Sequence, residues 1–276
     1  MIVLDGGAQG FVDTHCHLDF EDFQPDRLAV LERAGAAGVV RMLNPGIDVP
    51  SSQDVLRIAT EFPQIYAAVG VHPSSANAWT DESMDMLRSL ALHTKVVAIG
   101  EIGLDYYRDR APRPLQRVVL SQQLGLAAEL GLPVVVHNRQ SSDDMLELLL
   151  NWQLGLCQAK APLAERPGVL HSFSGDRHFA ESLLQHGFYL GIPGPVTFRN
   201  ASELQDVVSW APLERLLLET DAPLLTPHPH RGRRNEPAYV RLVAEKIAEL
   251  RGITVADVAE ITTANAKRLF SWSDVD

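Results

Sequence analysis

The sequence predicts an α/β chain: a single (β/α)8 TIM barrel with an extra C-terminal helix, spanning residues 1–276 as one domain. Three observations lead there. Short β-branched runs alternate with longer amphipathic stretches, so the apolar period switches repeatedly between 2 and 3.6. There are eight such runs, each followed by a helical stretch, which implies parallel strands joined by crossover helices. The length of 276 residues suits this closed barrel, whose usual size is about 250 residues.

The strand-like runs are 11–16, 39–43, 66–71, 96–102, 133–137, 168–172, 188–192 and 215–220. Helical periodicity falls on 26–36, 51–61, 81–92, 114–130, 142–152, 177–185 and 201–209, and 237–250 and 255–270 close the chain. Gly131-Leu132-Pro133 and Arg166-Pro167-Gly168 mark turns at strand entrances. Residues 154–167 carry the least pattern and read as a surface excursion between the fifth helix and the sixth strand.

Composition narrows the function. A hydrophobic content of 46% supports a large core, and a net charge of -11 gives no global attraction to nucleic acid. A nucleic-acid substrate therefore needs a local basic rim or bound metal. The two cysteines, Cys16 and Cys157, make no disulfide framework. No apolar run approaches the ~20 residues of a membrane span, and the opening has no charged-then-apolar leader. A soluble, cytoplasmic protein with no membrane partner is expected.

In such a barrel the chemistry sits at the C-terminal ends of the strands. Strand 1 exits through Asp13-Thr14-His15-Cys16-His17. Alternation puts Asp13, His15 and His17 on one face, and turns Thr14 and Cys16 to the other, where Cys16 packs. Strand 3 exits at His72-Pro73, where a histidine suits a turn as well as a site. Strand 4 is apolar until Glu101, a carboxylate that is costly there unless compensated. Strands 5 and 6 end in His137 and His171, and strand 8 ends with Glu219 and Asp221 on one face. Two like charges on one face repel unless cations hold them.

Each residue alone has a structural explanation; together, on six strand ends, they form a metal-binding set. Imidazoles and carboxylates without a thiolate suit zinc, manganese, magnesium or nickel. The donors exceed the needs of one ion with an open position, so two divalent ions are expected. A carboxylated lysine can bridge ions in barrels of this kind, but Lys95 precedes strand 4 and no lysine ends a strand. Glu101 is the remaining candidate bridge.

Several blocks then stand out: Asp-Thr-His-Cys-His-Leu-Asp (13–19), Gly-Val-His-Pro (70–73), Gly-Glu-Ile-Gly-Leu-Asp-Tyr-Tyr-Arg (100–108), His-Ser-Phe-Ser-Gly (171–175), Glu-Thr-Asp-Ala-Pro (219–223) and Arg-Asn-Glu-Pro (234–237). In this order they resemble the TatD family of metal-dependent deoxyribonucleases, in the amidohydrolase superfamily, over nearly the whole chain. The resemblance implies His15, His17, Glu101 and Asp221 on one ion and Glu101, His137 and His171 on the other, with His72 and Glu219 lining the site. The chain departs from the family after Arg139, where it reads Gln140-Ser141-Ser142-Asp143, and in the length of 154–167.

Asp221, Glu101, His72 and Glu219 are the expected catalytic residues, with Asp221 orienting or deprotonating the attacking water. Arg108, Arg139, Arg199, Arg231, Arg233 and Arg234 follow strand exits and are candidates to grip phosphate, whereas Arg110 and Arg113 read as ordinary surface charge. The His228–Arg234 loop is the strongest basic patch. Tyr106, Tyr107 and Phe173 suit either base stacking or rim packing. Three readings compete: an exonucleolytic deoxyribonuclease on single-stranded DNA or DNA ends, an acyl or amide hydrolase acting for example on aminoacyl-tRNA, and a non-catalytic barrel. The complete donor set disfavours the last, and the arginines favour the first.

Overall fold

The computed structural model describes residues 10–272. One eight-stranded parallel sheet runs in the order β1 to β8: Phe11–Asp13, Val39–Pro45, Ile65–Val69, Val96–Asp105, Val134–Arg139, Gly168–Leu170, Tyr189–Ile192 and Leu216–Leu218. The intervening helices α1 to α7 span Arg27–Ala36, Val49–Glu61, Asp81–Ala91, Arg113–Leu130, Ser142–Gln158, Arg177–Gln185 and Ser202–Trp210. Helices α8 (Val240–Arg251) and α9 (Val255–Phe270) complete the (β/α)8 barrel and add the extra C-terminal helix. Among the described residues no helix is long and apolar enough to cross a membrane.

The ring closes between the first and last strands. Thr14 N donates to Leu218 O (2.9 Å), Asp221 N to His15 O (2.8 Å) and His17 N to Ala222 O (2.7 Å). Asp13 reinforces this seam, its carboxylate accepting from Thr220 N (2.9 Å) and Thr220 Oγ1 (2.6 Å). Regular pairing with β2 therefore stops at Asp13, short of the expected 16, as the chain beyond it bonds to the β8 side, although Cys16 N still reaches Leu43 O (3.0 Å). Asp13 is spent on closure and does not share the mouth with His15 and His17, as alternation alone suggested.

Helix starts follow capping chemistry. Asp48 and Ser51, Thr80 and Ser83, and Thr254 and Asp257 form reciprocal capping boxes. Helix α2 thus begins at Val49, two residues before the periodicity, because Pro50 is tolerated in the first turn. The larger correction concerns 154–167. Helix α5 continues to Gln158, carried by the buried row Leu149, Gln153 and Leu156, and a 3-10 turn at Pro162–Glu165 follows. The excursion is partly helix; an exposed Leu154 and a buried Gln153 invert the apolar pattern there and so hide the period.

Two apolar layers result. One lies between sheet and helices. The other fills the barrel itself, where Val12, Leu43, Val97, Val135, Val169 and Leu217 meet Leu269, Phe270 and Trp272 from the end of α9. Trp272 stacks on Tyr66 and on Phe270, each with ring centroids 5.1 Å apart. The C-terminal helix is therefore the plug of the barrel base. Polar strand ends are left to the opposite face.

Candidate metal centre

The mouth opens into a cavity of about 1110 Å3 whose floor is lined by His17, His72, Glu101, His137, His171 and Asp221. His15 lies just beneath, fully buried. Glu101 reaches the centre because β4 runs ten residues, its exit lying close against β5: a Cβ on Gly103, which has φ 149°, would collide with the His137 carbonyl.

The donor atoms form two groups about the Glu101 carboxylate. Around Oε2, His15 Nε2 lies at 3.4 Å and His17 Nε2 at 3.6 Å. Asp221 Oδ1 lies 3.7 and 3.5 Å from the same two nitrogens, which are 3.2 Å apart. Around Oε1, His171 Nε2 lies at 2.9 Å, His137 Nδ1 at 3.0 Å and His72 Nε2 at 3.4 Å. The His137 and His171 nitrogens are 3.2 Å apart.

These spacings test whether the donors fit a cation. Ligands about 2.0–2.1 Å from a tetrahedral ion are about 3.3–3.4 Å from one another. The five separations within the Oε2 group, 3.2 to 3.7 Å, bracket that edge. The Oε1 group is slightly tighter and fits the same kind of centre. Imidazole and carboxylate atoms converging this closely make a candidate site, and three overlapping triads do so: His15, His171 and Asp221, all buried; His15, His17 and Glu101, all buried; and buried Glu101 with half-buried His72 and His137.

Electrostatics point the same way. Burial drives His15 down to about 4, and the ring of His171, stacked on it at 3.8 Å, adds to the effect. Burial takes His72 to about 3. His17 and His137 move up to about 9: burial opposes their charge, but Asp221 and Glu101 outweigh it for His17, as Asp105 and Glu101 do for His137. The polypeptide thus balances its two central carboxylates with protons on His17 and His137. Divalent cations would supply that positive charge and displace those protons.

Neighbouring groups fix the ring orientations. His72 Nδ1 accepts the backbone N–H of Ser74 (3.1 Å) and faces its hydroxyl at 2.6 Å. Nδ1 then carries no proton, so the neutral ring has it on Nε2 and presents a donor to the cavity. His137 turns Nδ1 inward and Nε2 toward Asp105 Oδ2 at 3.5 Å, the carboxylate–histidine arrangement that orients ligands at metal sites. Asp105 Oδ1 also accepts from the N–H groups of Tyr107 (3.0 Å) and Arg108 (2.8 Å), shaping the turn that carries the rim arginines. Sequence reasoning passed over Asp105; its spacing of four from Glu101 on one strand, hence the same face, was the available signal.

Glu219 is placed differently from the expectation. It is fully buried, accepts from Ser172 N, and lies 3.9 Å from His171 Nδ1, behind the ring. Gly191 makes room for it, since a Cβ there would meet its carboxylate. It does not line the cavity. Asp221 does, because a left-handed backbone (φ 55°) at Asp221 separates the two acids that strand alternation placed side by side.

The arginines also sort themselves. Arg108, Arg139 and Arg110 line the cavity; Arg110 is thus a rim residue and not remote surface charge. Asn77 Nδ2 donates to its carbonyl (2.8 Å) and holds that loop in place. Arg139 lies over the Tyr107 ring at 4.2 Å. Arg199, Arg231, Arg233 and Arg234 do not line the cavity. Arg234 is committed elsewhere: it bonds both oxygens of Asp26 (2.8 Å each) and Glu236 (3.0 Å), above the Phe23 ring. Arg231 lies against Phe198 at 4.4 Å. The basic loop was legible as charge, but its partners, distant in sequence, were not. Of the three aromatics only Phe173 lines the cavity; the Tyr106 hydroxyl donates to Asp144 (2.5 Å). Cys16 is buried, with its thiol on Leu43 O (3.6 Å).

A parallel barrel with histidines and carboxylates gathered at its C-terminal mouth is the architecture of a metal-dependent hydrolase. More narrowly, the family described as TatD related DNase matches residues 12–271, and the chain belongs to the TatD family. It is 44% identical over 259 residues to the uncharacterized metal-dependent hydrolase YabD of Bacillus subtilis, covering 94% of this chain and 98% of that one. It is 38% identical over 265 residues to the 3'-5' ssDNA/RNA exonuclease TatD of Salmonella typhimurium, covering 94% and 98%. The crystal structure of the TatD homologue YjjV from Escherichia coli superposes with a TM-score of 0.88 at 35% identity, covering 95% and 98%.

Proposed function

We propose that this protein is a two-metal exonuclease that removes nucleotides from the 3' end of single-stranded DNA. One observation carries the reading: Glu101 turns one carboxylate oxygen toward His15 and His17 and the other toward His137 and His171. That suits a bridge between two divalent ions, Mg2+, Mn2+, Zn2+ or Ni2+, held by His15, His17, Glu101 and Asp221 on one side and Glu101, His137 and His171 on the other. Relatives at 38% identity that are named 3'-5' ssDNA/RNA exonucleases support the substrate class and polarity.

Bound cations would acidify a water and stabilise charge on a phosphodiester. The chain's own groups do the rest. Asp221, at the cavity floor, orients that water and takes its proton, which passes to the 3' oxygen that departs as its P–O bond breaks. His72 Nε2–H donates a hydrogen bond to a non-bridging phosphate oxygen. Arg108, Arg110 and Arg139, on one side of the mouth, hold flanking phosphates and so fix the strand over the floor. Asp105 and Glu219 touch no substrate; they position His137 and His171. The arginine rim favours a polyanion over a small acyl or amide substrate.

The test is end-labelled single-stranded DNA incubated with metal-analysed protein, with and without chelator. Stepwise loss from the 3' end, abolished by chelation and restored by added cation, is the expected result. Hydrolysis of an aminoacyl-tRNA ester with no attack on DNA would replace this reading with an acyl hydrolase.

A further inference from the structure

A second cavity, of about 490 Å3, lies at the other end of the barrel. Its walls include Arg166, just before β6; His186 and Gly187, just before β7; Arg215, just before β8; and Arg268, near the end of α9. Strand entrances form the face opposite the active site, so this cavity is remote from the metal centre.

Its wall gathers three arginines in a chain of net negative charge. Acids outnumber Lys and Arg 35 to 24, and several arginines elsewhere each take two carboxylates. Arg33 has Asp26 and Glu236, Arg88 has Asp85 and Glu129, and Arg117 has Asp144 and Glu147. Among the described residues, Arg166, Arg215 and Arg268 have no carboxylate within 4.0 Å. Glu165, on the same wall, pairs with none of them.

Two of the three guanidinium groups are fixed in place. Arg166 Nη1 donates to Leu269 O (2.8 Å), and Arg215 Nη1 donates to Gly187 O (2.9 Å) while the group lies 4.9 Å from the Tyr189 ring centre. Each keeps its remaining N–H groups free of protein acceptors among the described residues. His186 Nδ1 donates to Ser182 O (2.8 Å), which leaves Nε2 available. Burial lowers the Arg166 pKa, a sign that its charge lacks compensation.

We propose that this cavity binds a small phosphate-bearing anion, a phosphomonoester or inorganic phosphate, through Arg166, Arg215 and Arg268. Guanidinium forks match phosphate oxygens in pairs, and the volume lies in the range of small-molecule sites, about 300–1,000 Å3. Because Arg166 also holds the last turn of α9, which plugs the barrel, occupancy would tighten the base and raise the melting temperature.

Calorimetric titration of the metal-loaded protein with inorganic phosphate, and separately with AMP, tests this. The expected result is a binding event that survives Glu101→Gln at the mouth. Arg268 makes no hydrogen bond or ion pair among the described residues, so Arg268→Glu leaves folding and metal-dependent turnover intact. It should weaken the base event about tenfold or more. Arg166→Gln should weaken it too and lower the melting temperature through loss of the Leu269 contact. AMP binding tighter than phosphate identifies a nucleotide ligand; equal affinity identifies the phosphate group alone. Binding that disappears entirely with Glu101→Gln, or that is unchanged in Arg268→Glu, overturns the proposal.

Discussion

The two ends of the barrel, built from the same eight strands, solve opposite problems. At the base, Trp272 stacks on both Tyr66 and Phe270, and Phe270 and Trp272 bury nearly all their surface. At the mouth, imidazoles and carboxylates meet at 2.9 to 3.7 Å, and Ser172 (φ 47°) and Asp221 (φ 55°) hold left-handed conformations that non-glycine residues seldom adopt. Burying ionisable groups that closely costs stability unless each is matched. Stability is therefore concentrated at the base and chemistry at the mouth, so substitutions at the two ends should separate folding from function.

The sharpest break is Glu101→Gln. It keeps the shape of the side chain and removes the charge that faces both donor groups. The variant is expected to fold, to hold fewer ions per chain by metal analysis, and to lose hydrolysis by about a thousandfold or more. Its ion-free form should melt lower than ion-free wild type, because burial opposes the Glu101 charge but the surrounding imidazoles outweigh it, and without that charge protonated His17 and His137 lose a partner. Two tightly held ions with intact cleavage would sink the bridging role. Asp221→Asn comes next. If Asp221 moves the proton, turnover falls by about 10²–10⁴-fold while most of the bound metal remains; near-normal turnover with metals bound removes it from that role.

The opposite experiment is Trp272→Ala. Deleting a buried indole typically costs about 3–5 kcal/mol. A lowered melting temperature with unchanged turnover per folded molecule is the expected outcome. A proportionate loss of turnover at temperatures well below melting would show that base and mouth are coupled, and the division drawn above would fail.

The same contrast explains what the sequence made legible. Parallel strands and their exits were visible because β-branched runs and helical periods are local properties. The floor of the site was visible for the same reason: most ligands end an apolar run, and six strand exits that all carry His, Glu or Asp point to a shared metal site. What escaped depends on contacts between distant segments. Asp13 closes on Thr220, 207 residues away, and so left the mouth. Glu219 and Asp221 share a face by alternation, but Asp221 sits in a left-handed turn, so one went behind His171 and the other into the cavity. Arg234 read as a free cation because Asp26 lies 208 positions earlier. The role of α9 as a plug was equally hidden, since amphipathicity shows that a helix packs and not what it packs into.

The rim gives the finest test of the mouth. Arg108 and Arg139 line the cavity, while Arg233 and Arg234 also follow a strand end in sequence but do not. For single-stranded DNA, each phosphate contact contributes about 0.7 to the slope of log affinity against log salt. Arg108→Gln and Arg139→Gln should each flatten that slope by about 0.7 and weaken binding severalfold, with metal content unchanged. Arg233→Gln should leave both slope and affinity where they were. Arg234→Gln should instead lower the melting temperature, because it leaves Asp26 with Arg33 alone, and the Asp26 carboxyl is held down to about 2 chiefly by its hydrogen bonds to Arg234. That carboxyl is stabilised in its charged form, so its contribution is present above the ordinary aspartate range and fades as pH falls toward 2. The melting difference between wild type and Arg234→Gln should accordingly shrink on acidification and persist at neutral pH. A salt slope reduced by Arg234→Gln but not by Arg139→Gln would move the phosphate grip to the loop after β8, and with it the path of the DNA across the mouth.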